Sequence, residues 1–330
     1  MMDQLIDKFT VQIEESITIG QNAIITQPDN PIHNVYVAGL GGSGIGGNFV
    51  SEFVYDELKV PYNVGKTYEI PAWVGPNTLA IASSYSGNTE ETLEAFGKLQ
   101  KTGAKLVVIS SGGKLIEIAK ESRINHILLP GGWPSPRACL GYSLIQQLFV
   151  LKHLDLIGDT FIDQLKTTVN QLKFNQDEIK KDAKTLAQFL HGRIPVIYTT
   201  NRMEAVALRF RQQVNENSKQ LCWHNVIPEM NHNELVGWKQ ENEKLAVVYF
   251  RSKSDSKRNS VRIDINKKII NKYTPHIVEL WSRGNSLVEQ ALYFVHLGDY
   301  TSFYLSQLNN EDSIEIDVID YLKAELAKVK

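Results

Sequence analysis

Residues 34–53 read NVYVAGLGGSGIGGNFVSEF, and six of the nine residues from Gly39 to Gly47 are glycine. Val35, Tyr36, Val37 and Ala38 make a short run of strand-forming residues, and the segment after the glycines returns to helical spacing. A strand that ends in glycines and opens a helix presents backbone N–H groups at the positive end of the helix dipole, an arrangement suited to phosphate. The stretch therefore predicts a β–loop–α unit whose loop takes an anion. Gly39, Gly41 and Gly44 satisfy G-x-G-x-x-G, the dinucleotide fingerprint. Against that reading, no acid closes the next strand around VPYNV (60–64), where Asn63 and Gly65 stand instead of a ribose-binding carboxylate. No Lys-Ser or Lys-Thr pair follows the glycines either, so the loop is not of the ATP-binding kind. The bland alternative is a structural turn that needs positive φ.

Working outward, short β-rich runs recur at TLAIASS (78–84), KLVVIS (105–110) and HILLP (126–130), each followed by a helical pattern or a Gly/Ser/Pro loop. That alternation argues for a parallel sheet covered by helices. Leu5, Ile6, Phe9, Ile13, Ile17, Ile19 and Ile24 predict an amphipathic helix over 4–25, and LGYSLIQQLFVLKHL predicts another over 140–154. The best place for a boundary is 156–160, after which IPVIYT (194–199), KLAVVYF (244–250) and HIVELW (276–281) repeat the theme. The expected class is α/β: two domains, 1–155 and 156–330, each a mainly parallel sheet flanked by helices.

Composition narrows the rest. The chain has 330 residues, 42% of them apolar and 22% charged, with no unbroken apolar stretch of membrane length. Its first residues, MMDQLIDKFT, carry acids and no basic flank before an apolar core, so a cytoplasmic protein is the expectation. Cys139 and Cys222 are too few for a disulfide framework and lack a zinc spacing. A formal charge of -2 gives no general attraction to nucleic acid, so neither nucleic acid nor a membrane is an expected partner. An anionic ligand must be caught locally.

A second loop, ASSYSGNTEETLEAF (82–96), again runs from an apolar strand into a helix and carries Ser83, Ser84, Ser86, Asn88 and Thr89. Hydroxyls and free N–H groups there supply neutral donors to a phosphate monoester. A helix cap at Asn88 or Thr89 explains one residue, not the cluster. Glu90 and Glu91 are expected to point away from any anion. Together with Gly41-Gly42-Ser43, the run Ser84 to Thr89 resembles the sugar-isomerase (SIS) domain, whose serine-rich loop binds sugar phosphates. Three more clusters, PSPRACLGY (134–142), VNENSK (214–219) and EMNHNELVGW (229–238), and the later GDYTSFYLSQLN (298–309), extend the likeness over nearly the whole chain. In that order they resemble the bifunctional phosphoglucose/phosphomannose isomerase family.

The resemblance implies aldose–ketose isomerisation of glucose 6-phosphate and mannose 6-phosphate with fructose 6-phosphate, through a cis-enediol and with no cofactor or metal. Such chemistry needs a base that reaches C1 and C2, and Glu216, just after a helix predicted over RMEAVALRFRQQV (202–214), matches the family's base. A fixed cation must meet the developing enediolate oxygen, and Arg137 matches that role. Ring opening needs a proton shuttle, for which His232 is the candidate, supplied by the neighbouring subunit if the family's arrangement holds. A homodimer with the site at the subunit interface is then expected. The phosphate would rest on Gly41, Gly42, Ser43, Ser84, Ser86 and Thr89. Thr301 matches a threonine that accompanies acceptance of both C2 epimers, being small enough for either hydroxyl orientation while donating a hydrogen bond. The lysine that family members can carry a turn or two beyond it is missing before Lys323. A metal set of His224, His232 and Glu234 is a rival for the histidines, although its spacing matches no zinc motif. For the whole chain the rivals are a non-catalytic sugar-phosphate sensor, an isomerase of another phosphosugar and a nicotinamide dehydrogenase.

Overall fold

The computed structural model describes residues 1–329, which form two compact bodies. The N-terminal body comprises residues 8–173 with 286–289, and the C-terminal body comprises 1–7, 174–285 and 290 onward.

The N-terminal body is built on five parallel strands in the order β2-β1-β3-β4-β5. They are β1 (Asn34–Ala38), β2 (Tyr62–Gly65), β3 (Thr78–Ser83), β4 (Lys105–Ser110) and β5 (Asn125–Leu128). Every residue of central β3 is buried, as a strand covered on both faces requires, and it pairs in register with β1 from Asn34↔Thr78 to Ala38↔Ala82. Around the sheet lie α2 (Phe9–Asn22), α3 (Gly41–Phe53), α4 (Glu90–Leu99), α5 (Gly113–Glu121), α6 (Leu140–His153) and α7 (Thr160–Phe174). Residues Leu140 to Leu151 of α6 are all buried, so this helix has no solvent face, and its polar members Gln146 and Gln147 find partners inside, Gln146 donating to the Ser16 carbonyl and Gln147 accepting from the Tyr62 hydroxyl. It packs against α2 and α3.

The C-terminal body repeats the plan with four parallel strands, β6 (Ile194–Thr200), β7 (Trp223–Ile227), β8 (Leu245–Arg251) and β9 (Ile277–Trp281), in the order β7-β6-β8-β9. That order copies β2-β1-β3-β4, so β6 corresponds to β1 and β8 to β3. Its helices are α1 (Met2–Asp7), α8 (Gln176–Leu190), α9 (Glu204–Ser218), α10 (Lys257–Ile270), α11 (Leu287–Leu308, its first turn in the other body) and α12 (Asp317–Leu326). Val196, Tyr198, Val247, Tyr249 and Ile263 form one side of its core, and Phe210, Phe250 and Phe294 pack ring against ring on another.

Two boundaries differ from the sequence expectation. The bodies divide after Lys173 and not near 155, because α7 packs with helices of the first body: Phe161 stands edge-on to Phe149 of α6, centroids 5.1 Å apart, and Lys173 pairs with Glu14 of α2 at 2.7 Å. The single helix expected over 4–25 breaks at Lys8, and α1 joins the C-terminal body through Asp7, which accepts from Tyr300, from Lys180 at 2.7 Å and from Gln176 at 3.0 Å.

Candidate active site

In an open parallel sheet, ligands bind beyond the C-terminal ends of the strands where the order reverses. In the N-terminal body that point lies between β1 and β3, and the two quoted loops leave those strands there. Gly39 is so close to β3 that a Cβ would stand 2.8 Å from the Ser83 carbonyl. The helix α3 starts at Gly41, whose φ of 51° suits glycine, so Gly41, Gly42 and Ser43 make its first turn and no side chain caps it.

Gly42 draws in the third cluster. A Cβ on it would lie 3.4 Å from the Pro136 carbonyl and 3.8 Å from the Arg137 Cα. Arg137, buried at 7% exposure, sits in the 3-10 turn Pro136–Cys139 that leads into α6. Buried Gln12 of α2 pins that turn, donating to the Ala138 carbonyl at 2.9 Å and accepting from the Gly141 N–H at 2.6 Å. Sequence reasoning passed over Gln12, although a glutamine among Phe9, Ile13 and Ile17 on an apolar helix face is itself a signal.

The serine loop is organised by its own hydroxyls. Ser84 is buried, and its Oγ lies 2.8 Å from Thr89 Oγ1 while accepting from the Gly87 N–H at 3.1 Å. Exposed Ser86 accepts from the Asn88 N–H at 3.3 Å. Thr89 occupies the N-cap position of α4, yet its side chain makes no capping bond. The simple capping explanation therefore fails for Thr89. Gly41, Gly42, Ser43, Ser84, Ser86, Thr89 and Arg137 thus belong to the two loops and the turn that meet at this end of the N-terminal sheet.

Glu216, His232 and Thr301 belong to the C-terminal body. Glu216 lies in the last turn of α9, not after it, because bonds to α11 hold the helix to Ser218: Asn217 donates to Ser302 Oγ at 2.9 Å and Ser218 to the Ser302 carbonyl at 2.8 Å. Further back, Arg209 grips Asp299 with both carboxylate oxygens within 3.1 Å of its Nη2, and Gln213 donates to the same group at 3.0 Å. Half-buried Glu216 lines a cavity of about 370 Å3 with Asn215, Lys219 and Glu315. Lys219 ends the helix with a φ of 52° and donates to the Glu216 carbonyl at 2.8 Å. Thr301 is fully buried within α11, its hydroxyl donating to the Leu297 carbonyl at 2.8 Å. His232 closes the 3-10 turn Glu229–His232, and its exposed imidazole makes no hydrogen bond or ion pair within the described residues. His224 lies on β7, where burial and then the charge of Arg211 push its pKa down to about 4. The carboxylate of Glu234 is already taken by Tyr198, Trp223 and Asn225, and no three potential ligands converge on a metal position among the described residues.

A model of the family described as the bacterial phospho-glucose isomerase C-terminal SIS domain matches residues 179–326. The bifunctional phosphoglucose/phosphomannose isomerase of Caldicellulosiruptor bescii is 39% identical over 330 residues, 97% of each chain. D-glucosamine-6-phosphate 4-epimerase of Sulfolobus acidocaldarius is 32% identical over 72% of this chain and 74% of its own. Among solved structures, the C-terminal domain of glucosamine-fructose-6-phosphate aminotransferase from Francisella tularensis superposes with a TM-score of 0.75 at 14% identity, covering 94% of this chain and 97% of that one. The last likeness speaks for the two-sheet fold alone.

Proposed function

The chain belongs to the bifunctional phosphoglucose/phosphomannose isomerase family of SIS-fold sugar-phosphate isomerases, and on that premise we propose that it interconverts glucose 6-phosphate and mannose 6-phosphate with fructose 6-phosphate. The observation that carries this reading is the convergence of the uncapped α3 and α4 starts, the Ser84–Thr89 hydroxyls and the pinned Arg137 at the switch point between β1 and β3. Neutral donors at two helix N-termini suit a phosphate monoester, and a guanidinium beside them suits the enediolate oxygen that forms only as the reaction proceeds.

In this mechanism His232 moves the proton that opens the ring, Glu216 carries a proton between C1 and C2, and Arg137 holds the oxygen whose charge grows. A carboxylate does that transfer without a cofactor. Thr301 contributes its small volume, since its hydroxyl is already committed to the Leu297 carbonyl. The proposal includes a cytoplasmic homodimer in which His232 serves the partner's site; an exposed imidazole with no bond among the described residues supports that assignment.

The test is conversion of fructose 6-phosphate to both aldoses in the presence of EDTA, beside Glu216→Gln. Wild type is expected to form both epimers and the variant to be at least about a hundredfold slower. Binding of fructose 6-phosphate without turnover would replace the isomerase by a sensor. Conversion of glucosamine 6-phosphate to its C4 epimer, with no aldose formed from fructose 6-phosphate, would place the chain with the epimerase relative. Mixing Glu216→Gln with His232→Gln separates the two sources of the histidine: regained activity means supply in trans, and none means supply in cis.

A further inference from the structure

Two residues beyond His232, Glu234 receives three donors. Its Oε1 accepts from the Tyr198 hydroxyl at 2.5 Å and the Trp223 indole N–H at 2.9 Å, and its Oε2 from Asn225 Nδ2 at 2.7 Å. Tyr198 is fully buried, and burial together with the neighbouring Glu234 charge raises its pKa, so the hydroxyl stays a donor; it accepts in turn from the Trp238 indole at 3.0 Å. The turn is also tied upstream, where Met230 is buried in the core and Asn231 donates to Asn266 at 2.9 Å. Asn233 joins the two ends, accepting the Glu234 N–H at 2.6 Å and donating to Glu229 at 2.8 Å. His232 thus stands between two anchors while its own ring is bonded to neither.

We propose that Glu234 is a positioning residue for His232, fixing the imidazole for ring opening through the turn that carries both. The inference rests on the role given to His232 above. Three converging donors call for an acceptor-only group with two oxygens, which is what a carboxylate offers. A glutamine would turn its own NH2 toward Asn225 Nδ2. The chemistry also supplies a rescue: Asn225→Asp restores donor and acceptor complementarity to Glu234→Gln.

Ring opening is read by NMR exchange between the α and β anomers of glucose 6-phosphate, and proton transfer at C2 by deuterium uptake from solvent per ring-opening event. Glu234→Gln is expected to slow anomer exchange about tenfold, at unchanged deuterium uptake per opening and unchanged KM, and Asn225→Asp in the same chain to regain most of the rate. Equal loss in both readouts, or no rescue by the double variant with folding intact, overturns the positioning role. His232→Gln separates the two levels of the argument. If that variant exchanges anomers as wild type does, the role of His232 falls; if it is slow while Glu234→Gln is not, only the inference about Glu234 falls.

Discussion

The two switch points answer the same topology in opposite ways. In the N-terminal body the crossing from β3 to α4 carries Ser84, Ser86 and Thr89, bonded among themselves, and α4 begins without a side-chain cap. In the C-terminal body the corresponding crossing from β8 to α10 carries Ser252, Ser254, Asp255 and Ser256. There the Asp255 carboxylate, 3% exposed, accepts from the Thr200 hydroxyl at the end of β6 at 2.9 Å and from the Ser252 N–H at 3.1 Å, and lies 3.7 Å from Arg251 Nε. Ser256 then caps α10, accepting from the Asn259 N–H at 3.2 Å. The second crossing holds an anion that belongs to the chain; the first holds donors and no acid at the equivalent place. Two serine-rich loops of equal topology therefore differ by one carboxylate, and with the substrate phosphate assigned to the first by the proposed function, one phosphate per chain is the expected stoichiometry.

Moving that carboxylate tests the contrast most severely. Ser84→Asp places a charge beside the phosphate position, where like charges about 4 Å apart repel by roughly 4 kcal/mol near a protein surface, close to a thousandfold in kcat/KM. Steady-state kinetics measured well below the variant's thermal midpoint, which the buried charge also lowers, is the readout. Activity within about tenfold of wild type would mean that the phosphate sits elsewhere.

The reverse exchange, Asp255→Ala, leaves buried Arg251 with Glu279 and Asp264 but without its partner in the loop. Loss of one member of a buried charge cluster costs about 3 kcal/mol, read by chemical denaturation. Inorganic phosphate should raise the thermal midpoint of this variant more than that of wild type, as an external anion takes the vacated donors. Equal effects on both proteins would deny that the second switch point is an anion site filled from within.

Acid should sharpen the distinction between the bodies. Burial holds His296 down to about 3 and His224 to about 4, and both lie in the C-terminal body. Each is neutral when folded and binds a proton near 6.5 when unfolded, so its contribution is complete above 6.5 and drains away as pH falls toward its folded pKa. The loss is up to about 1.4 kcal/mol per pH unit for each histidine. Hydrogen exchange at pH 5 against pH 7.5 should show the C-terminal body losing protection first, and His296→Gln should flatten that slope. Earlier opening of the N-terminal body would contradict the assignment.

What was legible in the sequence follows the same division between local and distant causes. The apolar runs at 34–38, 78–83, 105–110 and 194–199 announced their strands because parallel strands buried on both faces are written mainly in β-branched and aliphatic residues. Edge strand β7, Trp-His-Asn-Val-Ile, escaped notice because its residues run from exposed Trp223 through partly buried positions to buried Ile227 and its polar members include Asn225, which donates to Glu234. Glu216 was expected beyond a helix because VNENS reads locally as a loop, whereas contacts with Ser302, far along the chain, keep it helical. The glycine and serine loops could be picked out by residue type as strand-to-helix crossings, which is where the structure has them. That Thr89 bonds Ser84 and that Asp255 fills the other loop are facts of three-dimensional pairing, which spacing does not encode.

The smallest effect separates capping from binding. Ser256 and Thr89 stand at the same point of their crossings, but only Ser256 accepts from the helix it precedes. Removing a capping hydroxyl typically costs about 1 kcal/mol, so Ser256→Ala should lower unfolding stability by that amount while kcat/KM stays at the wild-type value. Thr89→Ala gives up the bond to Ser84 and about 1 kcal/mol of stability with it, but unlike Ser256→Ala it should also lower kcat/KM about tenfold as one hydrogen bond to a charged phosphate disappears. Denaturation midpoints and initial rates on the two variants decide the matter: a stability loss in Thr89→Ala with normal kinetics would return Thr89 to the ordinary business of starting a helix.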